Sequence, residues 1–392
     1  MKTKRKTAAA ANSARSAGRR YAPVLLLFAA GLAYRLYLAI MCHATPNFSD
    51  MAEYNYLAVE GQFSPHRPPL YPFFLRAMYG LFGAYNYRAV YVAQSVLSSA
   101  GILLMYWTVR RMWNRRAGLL AAALYAIYPN LILYNLTTLT ESLSVLIVVA
   151  MMAVAVSAHG DGRKAILQAV LAAVGMLMKP AFLFFVPGLL ITLKRRVAFL
   201  VVLACILAPL ILFNAAHYHR LILVSDTGAL NFYMSYNPEA KGGFIQIPDW
   251  EKVTQGEYVR RALNFIVHHR LRAVEIVYAK MYALFELGWD RGVMRDIVKG
   301  EGGAYAVMCA YHAILLFGFI GLARLCRKAH APVVAPVLSY VVLTVLFSIF
   351  VLRFRVLMEP LLIAYTAILF GGAAPSTGSP IAAGTPKVPR RA

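Results

Sequence analysis

Acidic side chains are scarce in this chain: Asp and Glu together account for 16 of 392 residues. Charged residues of both signs reach only 14%, against the roughly one quarter usual for a soluble domain. With 60% hydrophobic residues and a mean hydropathy of +0.60, a soluble single-core domain is excluded and an all-α polytopic membrane protein is expected. Cysteine is also sparse. Cys42, Cys205, Cys309 and Cys326 lie in or beside apolar runs without metal-like spacing, so neither a disulfide framework nor a zinc site is expected. No Gly-rich nucleotide loop is present, which argues against ATP or a soluble nucleotide sugar as substrate.

What is there is positive charge, +24 net, placed mostly between apolar runs. That is the orientation signal of a membrane protein rather than a nucleic-acid footprint, so no nucleic-acid partner is expected. The apolar runs predict about ten spans near 22–42, 88–109, 117–135, 138–157, 165–178, 180–193, 197–216, 303–323, 332–350 and 356–372. The short basic loops "RRMWNRR", "KRR" and "RLCRK" fall on one side, together with both basic termini. The expected topology therefore has both termini cytoplasmic and the polar segments 43–87 and 214–302 outside. Residues 1–20 form a basic tail, 21–372 the transmembrane domain, and the Gly/Pro/Ser-rich 373–392 a disordered tail. Within the second outer segment, "TQGEYVRRALNFIVHHRLRAVEIVYAKMYALFELGW" has helical apolar spacing through Leu263, Ile266, Val267, Val274, Val277 and Tyr278. It reads as a basic amphipathic helix, either lying on the outer leaflet or packed against the spans.

Against this background the stretch from Asn47 to Gly80 stands out. It holds Asp50, Glu53 and Glu60, then His66, Arg67 and a double proline. "SDMAEYNYLA" predicts a short helix with Asp50, Glu53 and Tyr54 on one face. Two readings of Asp50 stand: a helix cap with Glu53 completing a capping box, or a carboxylate that accepts a proton. Arg67, Lys179, Arg353 and Arg355 are expected at the outer ends of well-separated spans, where such residues either snorkel or converge on an anion such as a phosphate. Glu359, four residues after Arg355, offers that arginine a structural partner instead. In "LTTLTES", Thr138 and Glu141 have capping-box spacing, and an outward catalytic acid is the alternative. Asp249 and Glu251 in "PDWE" lack the additional ligands a metal needs, and His217, His219, His268 and His269 do not supply them at a trusted spacing.

Taken in order, "SDMAEYNYLA", "HRPPLYPFFLRAMYGLFG", "RRMWNRRAGLLAAALYAIYPNLILYNLTTLTESL", "KPAFLFFVP", "ALNFYMSYNPEAKGGF" and "RFRVLMEPLL" resemble the bacterial polyprenyl-phosphate-dependent GT-C glycosyltransferases. The type most resembled is the dolichyl-phosphate-mannose protein mannosyltransferase-like family, to which the lipid A aminoarabinose transferase is related. The resemblance covers roughly residues 20–372. It implies an inverting transfer on the outer face of a bacterial inner membrane, from a polyprenyl-phosphate-linked sugar to a lipid, polysaccharide or protein acceptor. In that scheme Asp50, with Glu53 as a second carboxylate, takes the acceptor proton. Arg67, Lys179, Arg353 and Arg355 hold the donor phosphate, supported by Tyr54, His66, Tyr71 and Glu141. Eukaryotic protein mannosyltransferases carry adjacent Asp and Glu in this loop, whereas here Met51 and Ala52 intervene, which weakens protein as the acceptor. Without an Asp-x-Asp pair in the loop, neither metal nor other cofactor is expected. The competing reading is a lipid or polysaccharide transporter or flippase. Such a protein would place polar residues at mid-depth and show internal repeats, but here the charges gather at outer ends and no clear repeat is visible.

Overall fold

A computed structural model describes residues 2–43, 45, 47, 49–248, 253–285, 301–350 and 352–373, with side chains for all of these except 2–20 and 301–310. Asp249 and Glu251 lie outside the described residues, as does the tail from 374. Among the described residues there is helix and no strand, in keeping with the all-α expectation.

The helices are α1 (Lys2–Met41), α2 (Asp50–Glu60), α3 (Leu70–Phe82), α4 (Tyr87–Met112), α5 (Arg115–Ile127), α6 (Pro129–Leu133), α7 (Glu141–Val156), α8 (Asp161–Met178), α9 (Val186–Thr192), α10 (Arg196–Tyr218), α11 (Gly228–Ser235), α12 (Gln255–His268), α13 (Arg270–Ala283), α14 (Glu301–Leu325), α15 (Ala331–Phe347), α16 (Leu352–Arg355) and α17 (Glu359–Phe370). Among the described residues, four stretches are long and apolar enough to cross a bilayer: Tyr21–Met41, Tyr87–Met112, Arg196–Tyr218 and Lys328–Phe347. A fifth is the pair Arg115–Ile127 and Pro129–Leu136, bent by 48°. Its bend has a local cause: Tyr128, preceding Pro129, is extended rather than helical, as a residue before proline prefers. Shorter apolar helices occupy Glu141–Val156, Pro180–Thr192, Tyr311–Leu325 and Glu359–Phe370, where spans were also expected.

One hydrophobic core joins these elements. In it α4 packs on α1, α5 and α7, α17 on α5 and α14, α8 on α10, and α9 on α15. The α14–α17 approach depends on glycine: a Cβ at Gly318 would stand 2.6 Å from the Leu362 carbonyl oxygen.

The outer segment differs from its expected form. The single amphipathic helix is two, α12 and α13, interrupted at His269. Its packed face is Tyr258, Ala262, Phe265, Ala273 and Ile276, which meet Tyr236 and Leu230 of the α11 region in two satellite cores. Leu263, Val267, Val274 and Tyr278, read from the sequence as the apolar stripe, point outward and are at least half exposed. Ile266 and Val277 of that stripe instead pack against the satellite core, beside the buried Ile276.

The tight α14–α17 contact predicts that Gly318→Ala lowers the thermal unfolding midpoint, at a cost of about 1–3 kcal/mol, because backbone atoms must move. Gly80→Ala, where a Cβ meets nothing within 4 Å, should be neutral or slightly stabilising in the same assay.

Candidate active site

The site begins with the first turn of α2. Asp50 is the first helical residue, preceded by Ser49, whose side chain makes no capping bond. The helix-cap reading of Asp50 is therefore corrected: its carboxylate is committed elsewhere. Asp50, Glu53 and Tyr54 share a face, as their spacing predicts. At the other end α2 stops at Gly61, whose φ of +67° suits glycine and turns the chain back toward α3.

That return segment carries Arg67 over the α2 face. Its Nη2 donates to Asp50 Oδ1 at 2.6 Å and its Nε to Glu53 Oε2 at 2.7 Å. The guanidinium also sits 5.4 Å from the centre of the Tyr54 ring. From α16, Arg353 Nη2 pairs with the other oxygen of Asp50, and Arg353 Nε approaches Glu141 Oε1 at 3.9 Å. Glu141, at the start of α7, receives Lys179 Nζ at 2.6 Å. The result is one continuous alternating array: Glu53, Arg67, Asp50, Arg353, Glu141, Lys179. It runs from a partly open end at Glu53, whose side chain is 34% exposed, to a closed end at Glu141, 1% exposed.

The array is a way of burying charge. Each ion removed from water costs several kcal/mol unless opposed and hydrogen-bonded, and here every carboxylate touches a cation. Burial alone would raise the Asp50 pKa, but Arg353 and Arg67 outweigh it and hold Asp50 at about 2. Phe354 lies beneath the closed end, 4.9 Å from Lys179 Nζ, and its carbonyl accepts from Tyr340.

A neutral network sets the array's frame. Tyr71 stands edge-on to Tyr54 and donates to Gln94, whose amide donates to the carbonyls of Asn135 and Thr137. Asn55 donates to Thr138 Oγ1 at 3.2 Å and accepts from Tyr79 at 2.7 Å. Thr138 thus serves Asn55 rather than capping α7. Thr140 immediately precedes that helix and makes no capping bond, so the capping-box reading of Thr138 and Glu141 is not realised. Asn55 and Gln94 were not singled out from sequence. Their signal was a buried-type amide at a helical interval within an apolar neighbourhood.

His66 immediately precedes Arg67 in the return segment. Its Nδ1 is 2.6 Å from Asp226 Oδ1, the Ser225 hydroxyl donates to the His66 carbonyl, and the Asp226 amide donates to Pro65. These contacts pin the Arg67 segment to the α10–α11 connection. Arg355 is placed apart from the other expected cations. It is 1% exposed and contacts Glu359 at 3.4 Å, the Leu284 carbonyl at 2.9 Å and the Tyr311 hydroxyl. Glu359 is closed off by Tyr311 at 2.7 Å and by Asn130 at 3.0 Å. The i, i+4 partnership is thus formed, and Arg355 belongs to a buried structural knot. Among the described residues no three His, Cys, Asp or Glu side chains group as metal ligands.

Beside Arg67 is a small open-sided cleft between α2, α3 and α10, lined by Leu57, Phe63, Pro72, Phe73, Leu210 and Val224 together with Gln62, Ser64 and Asn214. Arg67 stands at its edge, and its walls mix apolar side chains with the polar Gln62, Ser64 and Asn214.

Residues 66–218 match the family described as dolichyl-phosphate-mannose-protein mannosyltransferase, which bears out the resemblance read from the sequence over that segment. No curated protein matches the chain. The fold is similar to that of the Archaeoglobus fulgidus oligosaccharyltransferase. Its apo form has a TM-score of 0.53 at 14% identity, over 88% of this chain and 50% of that one. A form tethered to an acceptor peptide containing the NVT sequon has a TM-score of 0.52 at 12% identity, over 90% and 50%. The chain spans about half the length of that archaeal protein, and at such identity the likeness is one of fold. ArnT from Cupriavidus metallidurans, bound to undecaprenyl phosphate, gives a TM-score of 0.45 at 14% identity, over 90% of this chain and 77% of that one.

The array makes two predictions. Removing one partner of the closed pair, by Glu141→Gln or Lys179→Met, should destabilise the protein by about 3–5 kcal/mol in thermal unfolding, with Glu141→Gln/Lys179→Met recovering part of the loss. The second concerns pH. A carboxylate lowered to about 2 from an unfolded value of about 3.9 contributes stability that is fully present above the unfolded value and lost as pH falls through the folded one. The stability deficit of Asp50→Asn should therefore be full from pH 7 to about pH 5 and shrink as pH falls from there toward about 2. A deficit that stays constant over that acid range would show that Asp50 titrates as an ordinary carboxylate.

Proposed function

We propose that this protein is a membrane glycosyltransferase that moves a sugar from a polyprenyl phosphate to an envelope acceptor (a lipid, polysaccharide or protein) on the outer membrane face, with inversion at the sugar carbon. The observation carrying this reading is the alternating array, in which Arg67, Arg353 and Lys179 converge from three distant segments around Asp50. The family match supports the donor class, and its span includes Arg67, Glu141 and Lys179.

The chemistry follows from charge. A polyprenyl-phosphate sugar carries one negative charge on its phosphodiester. When the bond from the anomeric carbon to the phosphate oxygen breaks, its electron pair stays on that oxygen and the departing polyprenyl phosphate gains a second charge. Fixed guanidinium and ammonium groups in a partly dehydrated site stabilise that gain more than the ground state, which is how electrostatics lowers a barrier. Arg67 and Arg353 are the cations nearer the open end, and their planar forks suit phosphate oxygens. The isoprenoid would leave along the cleft beside Arg67.

Asp50 takes the acceptor proton as the acceptor oxygen or nitrogen forms its new bond to the anomeric carbon. While both arginines hold it at about 2, it is a poor proton acceptor at neutral pH. A donor phosphate that draws Arg67 and Arg353 toward itself shares out their charge and raises the basicity of Asp50. The base thus becomes competent when the donor is in place, which guards against idle proton transfer. Glu53 would hold Arg67 at the open end, and Glu141 would hold Lys179 and Arg353 at the closed one. Arg355, locked in its knot with Glu359, is left out of the phosphate clamp.

Two variants test the assignment in cells and in purified protein. Asp50→Asn should reduce glycan transfer by about 10²–10⁴-fold, read by mass spectrometry of envelope lipids and glycans. It should retain or tighten binding of undecaprenyl phosphate, because a competing anion has been neutralised. Arg67→Ala should weaken that binding by roughly tenfold or more, the scale of a lost charge-assisted pair. Near-normal turnover with Asp50→Asn would overturn the base assignment, and unchanged affinity with Arg67→Ala would overturn the clamp.

A further inference from the structure

The sequence singled out Arg353 as a charge, but its position depends on backbone that ends α15 several residues earlier. The last four carbonyls of any helix lack partners within it. In α15 the Thr344 carbonyl is met by the Ser348 amide at 3.0 Å. The next two are met from the outer segment: Lys280 Nζ of α13 donates to the Val345 carbonyl at 3.0 Å, and the Tyr236 hydroxyl donates to the Leu346 carbonyl at 2.9 Å. A third link follows at once, where the Phe350 amide donates to the Gly242 carbonyl at 2.9 Å. Ile349 is buried between these links against Leu230, Met234 and Tyr258, with Phe354 packed at the edge of the same cluster. The outer segment therefore grips the chain at 345, 346, 349 and 350, immediately before the turn that bears Arg353.

Lys280 is the unusual member of this grip. It is 1% exposed, and no ion pair among the described residues includes it. Its ammonium lies 4.7 Å from the centre of the Tyr236 ring. Burial pushes its pKa down to about 7, while the carbonyl end of α15 and the face of the Tyr236 ring favour the cation. Packing alone would be met at lower cost by methionine, which fills a similar volume with no amine to desolvate. What lysine adds is a donor that reaches across to the helix end.

We propose that Lys280 is a positioning residue for donor binding: by capping the end of α15 together with Tyr236, it fixes the chain that presents Arg353 to Asp50 and to the donor phosphate. This rests on the phosphate role given to Arg353 above. A displacement of about 1 Å is enough to degrade a site built on fixed charges, so a contact at the end of α15 can govern affinity without touching the ligand.

The test is a double-mutant cycle on the full-length protein in lipid nanodiscs, reading the affinity for undecaprenyl phosphate together with the thermal unfolding midpoint. Lys280→Met should weaken binding by roughly tenfold and Lys280→Arg should keep most of it, since the longer side chain retains a donor for the carbonyl. In the cycle, Lys280→Met should add little to the loss already caused by Arg353→Ala, because both act through the same guanidinium. Losses that simply multiply, or a lowered midpoint with unchanged affinity, would overturn the proposal by making Lys280 a structural residue only. An unchanged affinity for Arg353→Ala by itself would instead remove the phosphate role of Arg353, and the positioning role with it.

Discussion

A single carboxylate holds two guanidinium groups from distant parts of the chain: Asp50 accepts Arg67 on one oxygen and Arg353 on the other. The pairing arises from a constraint imposed by the surroundings. Charges next to a bilayer cannot be left unopposed, and water is largely excluded on the closed side of this group. The chain resolves the constraint by alternation, so that Glu53 and Glu141 complete what Asp50 begins. Much of the local architecture then has a role in keeping these six groups in line. α2 presents the acids, the turn at Gly61 returns Arg67 to them, and the amide network of Asn55 and Gln94 fixes the rear of the helix.

An array neutralised internally is poised rather than inert. Its cations are already gathered, so an anion from outside does not have to assemble them; it has to compete for them. In the proposed function that competition links two events, recognition of a phosphate and activation of a nucleophile. The depressed pKa of Asp50 is the physical expression of the proposed link, since the arginines that suppress its basicity are the ones we propose for the phosphate. The second buried charge group, Arg355 with Glu359, Tyr311 and Asn130, has the opposite character. Its charged members Arg355 and Glu359 are at most 1% exposed, and their contacts tie α6, α14, α16 and α17 together.

Much of this was legible in the sequence because charge is rare there. In a chain with so few acids, Asp50 and Glu53 are conspicuous, and Arg67, Lys179 and Arg353 stand out at the ends of apolar runs. The all-helical class followed from the same scarcity. Less legible was how neighbours divide. Arg353 and Arg355 are two residues apart, and on a helical turn such residues face different ways, so one joins the array and the other the knot. Local start signals misled at Asp50 and Thr138, because tertiary partners took the side chains that capping would have used. The bend at Pro129 was missed, since hydropathy does not register a missing amide donor, whereas the break at Pro180 was visible as the boundary between two short apolar runs. The role of Lys280 was invisible, as nothing in its sequence neighbourhood points to the end of α15.

The central claim is that a polyprenyl phosphate takes over the arginines of Asp50. It is tested most directly by a cryo-EM structure of the protein in a nanodisc containing undecaprenyl phosphate. The account predicts phosphate density against Arg67 and Arg353, with the isoprenoid in the cleft beside Leu57 and Phe73 and Asp50 released from at least one guanidinium. A phosphate bound elsewhere, with the pairs Asp50–Arg67 and Asp50–Arg353 both intact, would contradict it.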